Sequence, residues 1–334
     1  MAKGPHNLEY EVCRGWEQLP EGWSFTEVAG VAVDSTDRVY VYCRGEHPVI
    51  VFDKEGTFLD AWGEGQFLRP HGCYMSATDE LYLVDDQGHS VHKYALDGTH
   101  LAKIGGGPPS DTGFVWGESP VLRAAGPFNW VTNVALAPDG TLYAADGYGN
   151  ARVHRFSPTG DLLHSWGEQG GDYGEFNLPH GIAVDRQSRV YVCDRENSRI
   201  QIFTAEGDFI EAWDWVNRPT DIFIDDQEII YIAEVGFVVG NMPCAHFRTR
   251  YYAPPGHDPI ARVTLCTPDG EIIKRLGAAE AILPGNFIAP HGLWTDSEGS
   301  LYVGEVTQAS GGGRYYAPDN PLTAHCFQKF IRGG

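Results

Sequence analysis

The chain has 334 residues, and its 24 Lys+Arg against 45 Asp+Glu give a formal charge of −21. Hydrophobic residues at 42%, with nine Trp and 16 Tyr, exclude a disordered chain and supply a sizeable core. The acidic balance, with a pI near 4.9, argues against nucleic acid and anionic membrane surfaces as partners, because both repel it. No apolar run approaches the roughly 20 residues of a membrane span. The N-terminus, Met1-Ala-Lys-Gly-Pro-His6, has no apolar core like that of a secretory signal. Seven scattered Cys without a CxxC pair read as reduced, mostly buried thiols, so the expected location is cytoplasmic.

In chain order, the first apolar run is Tyr10-Glu-Val-Cys-Arg-Gly-Trp16. A pattern then recurs: a short apolar run, an Asp/Gly turn, and a second run holding Tyr40, Tyr82, Tyr143, Tyr191, Tyr231 or Tyr302. A third run follows, such as Val49-Ile-Val-Phe52, and a fourth that often ends like Ala61-Trp62-Gly63. The tyrosines are 42, 61, 48, 40 and 71 residues apart, so the unit is a four-stranded repeat with insertions. Six such units predict an all-β fold, a six-bladed β-propeller forming one domain over 1–334. The last unit ends at Phe327–Arg332 without a fourth strand, and the run at Tyr10–Trp16 is expected to supply it and close the ring. A closed ring has no need of a partner to bury its edges, so the pattern leaves the oligomeric state open.

Eleven residues before each repeat Tyr stand Ala29, His71, Thr132, His180, Thr220 and His291. The histidines fall in alternate units, each in a Pro-His-Gly context: Pro70-His71-Gly72, Pro179-His180-Gly181 and Pro290-His291-Gly292. This column opens the first strand, which lines the channel of a propeller, so the three imidazoles should converge on the axis. Duplication could copy one structural histidine but would not produce strict alternation. Three neutral imidazoles with an open fourth position are the ligands of a catalytic zinc site; other divalent transition metals also suit them.

Four residues past the repeat Tyr are Arg44, Asp86, Gly147, Arg195, Val235 and Val306, with Tyr148 following Gly147. Arg44 and Arg195 therefore point toward the metal rim. The residues just before this column, Cys43, Asp85, Asp146, Asp194, Glu234 and Glu305, are nearly uniform and read as scaffold. Cys43 and Cys193 are taken as structural. Insertions at about 105–130, 237–259 and 308–323 fall on the same face as the histidines and read as a lid. Two of them share a phrase, Arg250-Tyr251-Tyr252-Ala-Pro and Arg314-Tyr315-Tyr316-Ala-Pro, which offers arginines and aromatic rings to a small, anionic substrate.

These residues carry a family likeness. The repeats resemble NHL repeats, and the site resembles peptidyl-α-hydroxyglycine α-amidating lyase over roughly 28–305. The most specific stretches are Leu178-Pro-His180, Asp146-Gly-Tyr148-Gly-Asn150-Ala-Arg152 and Asp194-Arg195-Glu196-Asn197-Ser-Arg199-Ile-Gln201. The resemblance implies zinc on His71, His180 and His291, and a substrate surrounded by Tyr148, Arg44 and Arg195. That family splits an N-acyl hemiaminal into an amide and glyoxylate, with the metal stabilising developing charge and the tyrosine as base. Where the lyase has an aspartate after its third zinc histidine, helping to hold a structural calcium, this chain has Gly292. Its Arg-Tyr-Tyr-Ala-Pro insertions also depart from the peptide enzyme. Two other readings remain open: a zinc-dependent hydrolase or hydratase on the same histidines, and a non-catalytic NHL binding module.

Overall fold

A computed structural model describes residues 8–237, 258–309 and 326–333. Its 24 described strands form six four-stranded antiparallel sheets, the blades of a propeller. Blade 1 is β2 (Val28–Val33) to β5 (Phe58–Trp62), and blade 2 is β6 (Pro70–Met75) to β9 (His100–Gly105). Blade 3 runs from β10 (Val131–Leu136) to β13 (Leu162–Trp166), blade 4 from β14 (Pro179–Val184) to β17 (Phe209–Trp213), and blade 5 from β18 (Pro219–Ile224) to β21 (Ile272–Leu276). Blade 6 has β22 (Pro290–Thr295), β23 (Leu301–Glu305) and β24 (Phe327–Arg332), and its fourth strand is β1 (Tyr10–Cys13). Tyr10 pairs with Arg332 and Cys13 with Lys329, so the N-terminal strand closes the ring as its sequence predicts.

The inner three strands of each blade are short and rich in β-branched and aromatic residues, and they pack face to face with neighbouring blades. Five of the six repeat tyrosines are fully buried between blades. Tyr40, Tyr191, Tyr231 and Tyr302 donate to Asp34, Asp185, Asp225 and Asp296 at 3.0–3.2 Å, six residues earlier in the turn after the first strand. A buried phenol needs a partner, and that turn supplies one. Blades 2 and 3 carry Ser76 and Ala137 at the turn position. There Tyr143 donates instead to the Ala205 carbonyl at 3.1 Å, while Tyr82 is only half-buried with Lys93 over its ring.

The acid column is scaffold, as expected. Asp85, Asp146, Asp194, Glu234 and Glu305 each accept the backbone N–H of the residue 17 positions earlier, pinning the chain as it leads into the first strand. The six described cysteines are free, and five are buried, Cys43 and Cys193 among them. Among the described residues, no helix is long and apolar enough to cross a membrane.

Candidate metal centre

Each histidine is the second residue of a first strand, and the Pro-His-Gly context has a steric cause. A Cβ on Gly72 would come within 2.4 Å of Asn133 Oδ1, one on Gly181 within 2.6 Å of Asp221 Cα, and one on Gly292 within 2.6 Å of Gly30 Cα. Only glycine lets the first strands approach this closely at the axis. An aspartate at 292, the calcium ligand of the resembling lyase, would run into Gly30.

The approach brings His71, His180 and His291 together, with ring centroids 4.7–4.8 Å apart and every ligand nitrogen within 4.8 Å of the others. All three are buried. The alternation seen in sequence has a structural counterpart: each histidine bonds the column residue of the next blade. His71 Nδ1 lies 2.6 Å from Thr132 O, His180 Nδ1 2.6 Å from Thr220 O, and His291 Nδ1 2.7 Å from Ala29 O. A carbonyl accepts only, so every Nδ1 carries the proton and every Nε2 presents a lone pair. The threonine hydroxyls extend the ring, Thr132 Oγ1 to Pro179 O at 3.0 Å and Thr220 Oγ1 to Pro290 O at 2.8 Å. Ala29 has no hydroxyl, and Arg44 Nε takes the corresponding Pro70 carbonyl at 3.0 Å.

Burial first, then the neighbouring imidazoles and Arg44 and Arg69, holds His71 well below the ordinary histidine range. Burial and Arg195 do the same for His180, and burial and Arg44 for His291. The three are neutral at pH 7, the form that ligates. Tyr148 Oη stands over them, 3.1 Å from His71 Nε2 and 3.2 Å from His180 Nε2. Its single proton satisfies one lone pair at a time, and His291 Nε2 has no partner at all. Three buried acceptors with one donor are a set that a bound cation completes, so this group could hold a metal ion.

The structure brings Arg44 and Arg195 to this rim as well. Arg44 Nη1 pairs with Glu27 at 2.9 Å while its Nη2 is buried without a partner. Arg195 sits 5.5 Å from the Tyr148 ring centre, its Nε 2.8 Å from Glu196, which Arg218 also binds. Burial raises the Glu196 carboxyl, but Arg218 and Arg195 overcome that and hold it at about 2. The lid residues Arg250, Tyr251, Tyr252, Arg314, Tyr315 and Tyr316 lie outside the described residues.

Two more residues belong to the rim: Arg69, outside the columns compared in the sequence, and Asp86, inside one of them but given no role there. Arg69 pairs with Asp86 at 2.5 Å and lies 5.5 Å from the Tyr148 ring centre. Asp86 Oδ2 is 4.0 Å from His71 Nε2, its Oδ1 is unpartnered, and burial pushes its carboxyl up to about 7 against the pull of Arg69 and Arg44. Asp86 is already in the Arg44 and Arg195 column, and Arg69 stands two residues before the histidine column, as do Glu27 and Arg218. Reading that earlier column would have found it.

Asp146, His154 and Ser165 are linked at 3.2 and 2.7 Å in the order of a hydrolytic triad. Yet Gln201, Thr264 and Gln328 take the His154 place in other blades and bond the same acid column, so this chain of bonds is scaffold.

Residues 176–203 match the model of the NHL repeat. NHL repeat-containing protein 3 of Mus musculus is 33% identical over 310 residues, covering 87% of this chain and 80% of that protein. The chain belongs to the NHL-repeat family. Within it, the chain is also similar to peptidyl-alpha-hydroxyglycine alpha-amidating lyase 1 of Drosophila melanogaster, 27% identical over 80% of this chain and 46% of that protein. It spans about a third of the length of the peptidyl-glycine alpha-amidating monooxygenases it matches. Among solved structures, a streptogramin B lyase shares the fold, with a TM-score of 0.58 at 12% identity over 99% of this chain and all of that one. This NHL propeller is thus homologous to amidating lyases and carries a buried tri-histidine cluster on its axis.

Proposed function

We propose that this NHL propeller is a zinc-dependent carbon–nitrogen lyase that cleaves an N-acyl hemiaminal, an α-hydroxyglycine-like compound or a related small anionic molecule. The observation that carries this reading is the trio of Nε2 lone pairs sharing one hydroxyl proton. Three neutral imidazoles are a catalytic zinc ligand set, and zinc bound there would supply Lewis acidity to the substrate oxygen. Tyr148, its own phenol proton first lost to solvent, would take the hemiaminal hydroxyl proton and pass it on to the amide nitrogen. As that proton leaves, the C–N bond breaks and its electron pair stays with the amide nitrogen. The nitrogen needs one proton, the number the hydroxyl gives up, so amide and aldehyde form without a co-reactant. Arg44 has a buried, unengaged Nη2 to offer a substrate carboxylate, and charge-assisted bonds of this kind are strong. Arg195, locked by Glu196, keeps positive charge beside Tyr148.

A hydrolase or hydratase has one observation in its favour, the unpartnered Asp86 Oδ1 near His71, which could orient a water instead. The partner in either case is a small molecule. The test is metal content on protein purified without added metal, beside His180→Ala, followed by turnover of an α-hydroxyglycine substrate. We expect about one zinc per chain, lost in the variant, and amide release by the wild-type chain only. A folded protein with no metal after metal-replete growth would sink the proposal and favour a binding module.

A further inference from the structure

The insertion between β9 and β10 carries aromatic rings to the mouth of the site. Trp116, on this insertion, stacks on Trp130 with ring centroids 4.9 Å apart and planes 12° from parallel. Both indoles meet the Tyr148 ring edge-on, at 6.3 and 6.4 Å. Trp130 has φ +61°, a left-handed turn that Leu178 and Arg218 share at the same position of blades 4 and 5, and its backbone N–H donates to His89 Nδ1 at 3.0 Å. Arg69 lies 5.9 Å from the Trp130 ring centre and 5.5 Å from that of Tyr148. The wall therefore runs unbroken from Trp116, which is 48% exposed, to the buried Tyr148 beside the histidines.

We propose that Trp116 and Trp130 form the subsite for the acyl group released as the amide, and that this group is aromatic. The inference rests on the lyase reading and narrows it to an N-arylacyl α-hydroxyglycine. Its carboxylate meets Arg44, its hydroxyl meets Tyr148, and its ring lies against the indoles. The aryl group takes no part in bond changes. Its contribution is to binding, through buried apolar area and ring–ring contact, and amounts to about ten-fold in affinity.

The test is calorimetric binding of N-phenylacetylglycine and N-acetylglycine to the metal-loaded full chain, beside turnover of the two corresponding α-hydroxyglycines. Both glycines lack the carbinol hydroxyl and cannot react. The phenylacetyl compound should bind about ten-fold tighter, with the same preference in kcat/KM, carried by KM. Trp116→Ala should bring both ratios toward one, and Trp116→Phe should restore most of the preference; circular dichroism checks that each variant is folded. Equal binding of the two glycines by the wild-type chain, or a ratio unmoved in Trp116→Ala, overturns the proposal. Should the binding ratio depend on Trp116 while neither α-hydroxyglycine is cleaved, the subsite stands and the lyase reading falls. If both are turned over without discrimination, the lyase reading stands and the subsite falls.

Discussion

The two ends of the central axis are built from the same first strands and have opposite characters. At one end His291 Nε2, Arg44 Nη2 and Asp86 Oδ1 are buried without partners, and His71 and His180 share one tyrosine proton. At the other end a cavity of about 540 Å³ is lined by aspartates that are already engaged. Asp34, Asp225 and Asp296 accept from repeat tyrosines and turn amides, while Asp37 and Asp79 accept from Ser297 and Ser35 of adjoining blades. Between them Asn133 Nδ2 donates to Asp221 Oδ1 at 2.8 Å, linking blades 3 and 5 one residue along the strands from the histidine layer. Leaving a buried polar group unsatisfied costs about 1–3 kcal/mol, so a cluster of them persists where a ligand completes it. Polar groups that are fully paired hold the fold. The aspartate-lined cavity therefore reads as scaffold, and the chemistry proposed above belongs to the other end.

The sharpest way to break this contrast is Tyr148→Phe, which removes the hydroxyl facing the three lone pairs. Under the lyase reading kcat should fall by about 10²–10⁴-fold, the span of general base contributions, with metal content unchanged. Steady-state kinetics beside metal analysis decides it. A variant that keeps its metal and most of its rate would point to a route through Asp86 and a water.

A smaller effect is expected one bond further from the histidines, from Thr220→Val. The carbonyl that fixes the His180 tautomer is backbone and survives, but the hydroxyl that ties this strand to Pro290 is lost. Orienting partners of metal-binding histidines typically matter by 10–100-fold, and this one acts at a further remove, so under the proposed zinc reading affinity for the metal should weaken by about ten-fold. Competition with a chromogenic chelator measures it. Affinity equal to wild type would mean that the hydroxyl ring is packing and nothing more.

What the sequence makes legible follows from what repeats. The tyrosine column fixes the blades because each copy performs the same inter-blade burial, and the histidine column stands out because it breaks the repeat in alternate copies. Tyr148 and Arg195 become visible as soon as positions are compared across blades. Arg69 and Trp130 share a column too, two residues before the histidine column, but their role is not legible there, because it depends on a cross-blade approach to Tyr148 that no single column displays. The alternation itself is only half-legible: Ala29, Thr132 and Thr220 look like gaps between ligands, whereas their carbonyls set the tautomer of every histidine. A backbone acceptor leaves no trace in residue identity.

The paired end of the axis can be tested through Asp221, where the expected effect is on stability and its sign is fixed. Burial pushes this carboxyl up to about 7, although the amides of Ile222 and Leu293 and the Asn133 side chain all pull it down. An unfolded aspartate titrates at about 3.9. Between about 3.9 and 7 the folded chain thus keeps a proton that the unfolded chain has released, and stability falls as pH rises across that window. The contribution is complete below the window and gone above it, a change on the order of 4 kcal/mol for a carboxyl raised from about 3.9 to about 7, and about two-thirds of it falls above pH 5. Asp221→Asn has no proton to lose there. Its amide turns an N–H toward donors that the carboxylate accepted, which lowers the starting stability, so the level decides nothing and the slope does. Urea melts at about pH 5 and about pH 8 should show a smaller loss in the variant than in the wild-type chain. Asp86 and Asp194, raised by burial to about 7 and about 6, contribute equally to both chains and cancel in the difference. Parallel pH dependence in the two chains would mean that Asp221 ionises freely at neutral pH, and the paired end of the axis would then carry a charge the histidine layer must feel.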